Sequence, residues 1–198
     1  MKIICSAWDQ EIDMLSSHYD SDEFLKVSLG IGYLEAARNL QNLLSDHKDK
    51  KIDEIVFIGT CGSYRKNMEI GDLVQIQKSR LLLLGKLDER AYVPQKYDDF
   101  ILRVLKDELL QVADCMTSME ITNDDITAAK IYKDTGKEFL VENMELYGVA
   151  HVAEHHKIQC FSVLGVANYN NIFAHREWDN NQEEVSEKVC KHLNDILL

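Results

Sequence analysis

Proline is almost missing from this chain: Pro94 is the only one, and glycine supplies just 9 of 198 residues. Such a composition leaves no Pro/Gly-rich linker, low-complexity tract or collagen-like repeat, so a single folded domain over residues 1–198 is expected. Positive charge is also scarce. Lys and Arg number 22 against 34 Asp and Glu, a net charge of −12. Nucleic acid and anionic membrane are therefore excluded as expected partners, since both need a basic face. No apolar run is long enough to span a bilayer. Met1-Lys2 leads into a brief apolar run cut short by Asp9 and Glu11, which is not the pattern of a signal peptide. The five cysteines (Cys5, Cys61, Cys115, Cys160 and Cys190) are odd in number, widely spaced and without a Cys-x-x-Cys. Reduced, buried thiols in a cytoplasmic protein are expected.

What is present is 45% hydrophobic and 28% charged, enough apolar material for a substantial core. Short apolar runs alternate with helical periods. Lys2–Ala7 reads as a strand leading into Trp8-Asp9-Gln10-Glu11 and an amphipathic segment. Phe24–Leu29 reads as a strand, then Gly30-Ile31-Gly32, then a helix over Tyr33–Ser45 with Leu34, Ala37, Leu40 and Leu44 in period. Gly-x-Gly between strand and helix lets backbone N–H groups approach a bound group, although no third glycine completes a dinucleotide fingerprint. Glu54–Ile58 is a buried strand followed by Gly59-Thr60-Cys61-Gly62-Ser63, small residues that admit a ligand without a Cβ clash. The spacing predicts a helix over Phe100–Leu110 and a strand over Val112–Met116. The chain then centres on Val141–Asn168: a turn at Asn143-Met144-Glu145, a helix to His156, and the apolar run Cys160–Val166 as a buried strand. Tyr169–Asp179 reads as a polar connection and Asn180–Leu198 as a closing amphipathic helix with Val185, Val189, Leu193 and Leu197 on one side. A carboxylate opening one helix and a polar residue closing the next strand would meet at one sheet edge, where open α/β sheets bind ligands.

These motifs, in this order, resemble the nucleoside phosphorylase and nucleosidase superfamily, most closely its methylthioadenosine/S-adenosylhomocysteine nucleosidases. The resemblance is carried by Gly30-Ile31-Gly32 with Ala36-Ala37, by the Gly59–Gly62 turn followed by Gly71-Asp72, and by Met144-Glu145 with Ala150-His151-Val152. It implies a three-layer α/β/α fold with a mixed central sheet and no cofactor beyond phosphate as co-substrate in a phosphorylase. It also implies a homodimer or higher homo-oligomer. By the same resemblance Glu145 binds the ribose hydroxyls with Met144 beneath the sugar. Thr60 and Cys61 line the pocket, Glu11 activates the attacking water, and residue 168 faces the purine. Thr122 and Asn123 fall on the family's base-proximal loop. Two family acids are replaced, by Asn143 and by Asn168, and Leu81–Tyr97 is shorter than the family's covering segment. The strand end Asn168-Tyr169, with Arg176 and Trp178-Asp179 downstream, is locally similar to futalosine hydrolases.

The expected activity is cleavage of a purine N-ribosidic bond. Its transition state is oxocarbenium-like and favours nearby carboxylates. An amide at 168 cannot hand over a proton at neutral pH but can donate hydrogen bonds, which suits a 6-oxopurine of the inosine or futalosine type. The hexameric phosphorylases place an arginine three residues before the Thr60 position, where this chain has Phe57. Water is thus favoured over phosphate. The alternatives are a nucleoside phosphorylase, a methylthioadenosine/S-adenosylhomocysteine nucleosidase, and a non-catalytic nucleoside-binding regulator. His151 and His155 share a helical face, with His156 beside them, but no third ligand is evident and no metal site is expected.

Overall fold

The computed structural model describes residues 1–16, 19, 21–65, 67–93, 98–107 and 110–197. Pro94, the end of the shortened segment at Tyr97, Leu109 of the expected helix, and Leu198 lie outside these. Strands β1 (Lys2–Ser6) and β2 (Phe24–Ser28) flank a 3₁₀ turn at Asp9–Glu11, and helix α1 (Tyr33–Asp46) follows. Next come β3 (Glu54–Ser63), β4 (Leu73–Leu81), the single-turn α2 (Leu84–Leu87), β5 (Phe100–Ile101) and β6 (Gln111–Thr117). Helix α3 (Asp125–Thr135), β7 (Leu140–Glu142), α4 (Leu146–His156), β8 (Gln159–Tyr169) and α5 (Ala174–Leu197) complete the chain.

Among the described residues the strands form one mixed sheet of eight, ordered β2-β1-β3-β7-β6-β4-β5, with β8 paired to both β3 and β4. That double pairing closes β3, β7, β6, β4 and β8 into a ring, with β1 and β2 extending from it. β3 is the hub: it runs parallel to β1 and β8 and antiparallel to β7. All ten of its residues are buried, and Ile55–Ile58 is a continuous apolar run rather than an alternating one.

Side-chain alternation divides the core between two faces. Ile3, Cys5, Ile55, Phe57 and Leu164 pack under Leu40 of α1 and Val149 of α4. Ile4, Val56, Ile58, Phe161 and Val163 pack against Val189 and Leu193 of α5. A smaller cluster of Tyr64, Leu82, Met116, Ala128, Ile131 and Leu140 seats α3. The result is the three-layer arrangement around a mixed sheet that the sequence predicts.

Helices α1 and α4 meet at a glycine. A Cβ on Gly148 would lie far inside van der Waals contact with the backbone carbonyl of Tyr33. Alanine is the better helix former, yet here the close approach decides. Gly148→Ala is expected to destabilise the fold by about 1–3 kcal/mol through overpacking. Urea denaturation measures this, and an unchanged midpoint would show that the two helices separate without cost.

Three expectations fail, each for a local reason. Residues Phe100–Leu110 form no helix over their described part. Phe100–Ile101 pairs antiparallel with β4, and the Gln75 side chain holds Leu105 by accepting from its N–H at 2.9 Å and donating to its carbonyl at 3.2 Å. Ile101 is 72% exposed while Leu102 is 4% exposed, a strand-like alternation hidden within a helical spacing. The small-residue stretch after Ile58 is not a turn, because β3 continues through Ser63. The connection over Tyr169–Asp179 is not irregular throughout, because α5 already begins at Ala174. Its first turns face the sheet with polar groups: Glu177 accepts from the Tyr169 N–H at 2.8 Å, and Asn181 donates to the Ala167 carbonyl at 3.1 Å. Apolar periodicity is blind to such a face. Helix α3 carries no expectation at all; Asp124 caps it, accepting from the Thr127 N–H at 2.7 Å.

Candidate active site

The strand–turn junction after β1, the distal half of β3, the β7–α4 turn and the end of β8 converge on a cavity of about 240 Å³. This is a little below the roughly 300–1,000 Å³ range of small-ligand clefts, room for a small molecule. The pairing of β3 with β8 slips between Cys61 and Gly62, giving β8 one extra residue there. Such bulges re-aim side chains beside active sites. Here the bulge brings Asn168 opposite Gly62. A Cβ on Gly62 would strike the side-chain amides of Asn168 and Asn170, so any larger residue there must displace them.

Two carboxylates anchor the cavity. Glu11 is 4% exposed. Its Oε2 accepts from the Ala7 N–H at 3.1 Å, and its Oε1 from the Thr60 N–H at 3.0 Å and the Thr60 hydroxyl at 3.1 Å. Burial first, and then the charge of Glu145, push its pKa from 4.5 up to about 7, against the lowering by these bonds. Glu145 stands at the start of α4, and its Oε1 accepts from the Gly32 N–H at 2.8 Å. Burial raises it as well, to about 7. Desolvation disfavours a charged carboxylate, so both groups hold or release a proton near neutrality.

Glu11, Thr60, Cys61, Gly62, Asn143, Met144, Glu145 and Asn168 all line the cavity. Several are engaged differently from the expectation. Asn143 acts as a helix cap, its Oδ1 accepting from the N–H groups of Glu145 and Leu146 at 3.0 and 2.8 Å. Its amide also donates to the Thr60 carbonyl at 3.1 Å. Capping requires only an oxygen acceptor, which asparagine supplies as well as aspartate. The Asn168 amide donates to the Tyr169 carbonyl at 3.1 Å and to Asn170 Oδ1 at 3.5 Å. Gly30 and Gly32 border the cavity only through Ile31 between them, and their amides serve the protein itself: Gly30 donates to Ala7 and Gly32 to Glu145.

Thr122 and Asn123 do not line the cavity. Thr122 is held from behind by Glu142, which accepts from its N–H at 2.8 Å and also from its hydroxyl, and Asn123 is exposed. Ile121 is the residue this loop presents. Trp8, Glu142, His175 and Trp178 also line the site without having been singled out for it. Trp8 and Trp178 are the chain's two tryptophans, and their rings lie 6.0 Å apart. Their rarity in the composition was the available signal. Phe57 is fully buried in the core, and no Lys or Arg is among the described lining residues. The histidines of α4 face outward. His156 pairs with Gln41 Oε1 at 2.9 Å, and His151 packs on Phe100. Among the described residues no three His, Cys, Asp or Glu side chains gather as a metal site, and no helix is long and apolar enough to cross a membrane.

The sequence model of the phosphorylase superfamily matches residues 10–198, in agreement with the resemblance carried by the motifs. No curated protein matches the chain. Among solved structures, Helicobacter pylori 5′-methylthioadenosine/S-adenosylhomocysteine nucleosidase, complexed with a substituted pyrrolidin-3-ol, is 14% identical. The match covers 100% of this chain and 97% of that one, with a TM-score of 0.81. A futalosine hydrolase mutant of H. pylori is 15% identical over 100% and 98% of the two chains, with a TM-score of 0.80. The Streptococcus pneumoniae nucleosidase with a transition-state inhibitor is 17% identical over 98% and 97%, with a TM-score of 0.81. At these identities the likeness is one of fold.

Proposed function

Because the chain belongs to the phosphorylase superfamily, we propose that it is an enzyme that breaks the N-ribosidic bond of a purine nucleoside with water as the nucleophile. The observation that carries this reading is the pair of buried carboxylates, Glu11 and Glu145, lining one small cavity and both raised to about 7. Breaking the bond leaves positive charge on the ribose ring. Carboxylates beside it stabilise that charge more strongly in a dry site than in water. Glu145 holds the ribose hydroxyls, with Met144 beneath the sugar. Glu11 orients water and takes its proton, as a base whose pKa lies near the working pH does best. Water is favoured over phosphate because a phosphate dianion would enter a cavity lined by Glu11, Glu142 and Glu145 with no described Lys or Arg to balance it.

Asn168 reads the base in this proposal. Rotation of its amide exchanges the Tyr169 carbonyl and Asn170 Oδ1 for N7 and O6 of a 6-oxopurine, which accept two hydrogen bonds from one NH₂. Asn168→Asp is expected to raise activity on methylthioadenosine relative to inosine, because a protonated acid gives N7 a proton while offering O6 nothing. The measurement is the ratio of the two kcat/KM values in parent and variant at several pH values. An unmoved ratio would mean that residue 168 does not read the base.

The reading as a whole is tested by incubating the protein with a panel of purine nucleosides, with and without phosphate, and separating base and sugar by chromatography. Free base with free ribose is the expected result. Ribose 1-phosphate would make the protein a phosphorylase. Saturable binding without turnover would make it a nucleoside-binding regulator, the reading favoured by the uncharged Asn168.

A further inference from the structure

The Thr60 hydroxyl lies between two groups of unequal character. Trp178 Nε1 approaches Oγ1 at 3.1 Å from α5, and Glu11 Oε1 lies 3.1 Å away on the other side. An indole N–H donates and never accepts, so the Thr60 oxygen must be its acceptor. A hydroxyl has a single proton, and with the indole on one side that proton points to Glu11. Oε1 then takes two donors from one residue, the hydroxyl and the backbone N–H at 3.0 Å. We propose that Trp178 is a positioning residue for Glu11: its indole fixes the Thr60 hydroxyl as a donor to the carboxylate, favouring the ionised form that accepts a proton from water. The last step rests on the nucleosidase reading; the hydrogen-bond chain does not.

Removing the indole N–H takes away the bond that polarises the Thr60 hydroxyl toward Glu11 and resists turning its proton elsewhere, so the ionised carboxylate loses support. The other titratable groups around Glu11 offer no such path. Glu145 and Glu142 line the same cavity from the α4 turn and β7, and His175 lies one turn before Trp178. Cys61 adjoins Thr60 on β3 as a buried thiol. Cys190 of α5 donates to the main-chain carbonyl of Glu11 at 3.2 Å rather than to its carboxylate. Asp9 and Asp13 sit on the same segment, and Asp9 accepts from the Ser28 hydroxyl.

The test is an NMR titration of protein carrying carbon-13 at the glutamate carboxyls, with the Glu11 signal assigned by its loss in Glu11→Gln. In Trp178→Phe the Glu11 midpoint is expected to rise, by at most the roughly one pH unit that one hydrogen bond to a charged group is worth. Thr60→Val should raise it likewise, Thr60→Ser should leave it in place, and adding Trp178→Phe to Thr60→Val should move it no further. An unmoved midpoint in Trp178→Phe, or an equal shift on the Thr60→Val background, would overturn the proposal. Should Trp178→Phe not fold, the parent protein supplies a second measurement. The Trp178 indole N–H signal, distinguished from that of Trp8 by Trp8→Phe, should follow the Glu11 titration and cease to do so in Glu11→Gln. An indole signal blind to that titration refutes the coupling. If the midpoints behave as expected but the acid limb of kcat/KM does not follow them, the positioning stands and the role of Glu11 as base falls.

Discussion

Replacing Glu11 by glutamine is expected to lower kcat by roughly 10²–10⁴-fold, the range lost with a positioned general base, while nucleoside affinity changes little. The amide keeps the shape of the side chain but cannot take a proton. It also meets a crowd of donors: the parent oxygens accept from the N–H groups of Ala7 and Thr60 and from the Thr60 hydroxyl. An amide oxygen turned to Thr60 leaves its NH₂ facing the Ala7 N–H, donor against donor. A change in stability with pH should accompany the loss of activity. The folded-state pKa of Glu11 is raised from 4.5 to about 7, so between those values the folded protein holds a proton that the unfolded chain has released. Its contribution to stability is full below the lower value and is lost as pH rises through the upper one. Glu11→Gln removes that loss, and stability should then fall less steeply across the window, with Glu145 supplying the remainder. Denaturant titrations below and above the window measure it, and steady-state kinetics measure the turnover. A variant with near-parental kcat would exclude Glu11 as the base.

Glu145→Gln should act on binding and turnover together. A glutamine Oε1 still accepts from the Gly32 N–H, which the parent bonds at 2.8 Å, so the β2–α1 turn keeps its tie to α4. What is lost is the charge that, in the proposed reading, faces the sugar. Charge-assisted hydrogen bonds are worth about 1.5–3 kcal/mol, which corresponds to a fall in kcat/KM of roughly ten- to hundred-fold. The same substitution removes the anion whose repulsion helps to raise Glu11. The acid limb of the pH–rate profile should therefore move to lower pH even as the rate falls. Kinetic parameters and pH profiles in the two proteins decide it. An unaltered KM would mean that Glu145 does not hold the ribose.

The two carboxylates were legible through the family resemblance, which marked Glu11 just after an apolar strand and Glu145 in a turn that opens a helix; local pattern alone would have left each a solvated acid. Trp8 and Trp178 were not placed in the site, although rarity marked both and Trp178 carried the local similarity to futalosine hydrolases. Asn143 was legible as a departure from a family motif but not in its task, since capping depends on where the Glu145 and Leu146 N–H groups point. The same holds for Thr122. Its sequence position matched the base-proximal loop, while its N–H and hydroxyl are both committed to the buried Glu142.

By itself the sequence determined the strands β1, β2, β6 and β8, the helices α1 and α4, and the buried character of Glu54–Ile58 in the hub strand. Those features follow from the spacing of apolar residues over a few positions, and that spacing is written in chain order. The ring closed by β8, the start of α5 on polar contacts, the extended course after Phe100 and the path from Trp178 through Thr60 to Glu11 were decided only by the tertiary structure. Trp178 and Thr60 are 118 positions apart. A single hydrogen bond over that separation imposes no periodicity on the residues between, so nothing in their order records it.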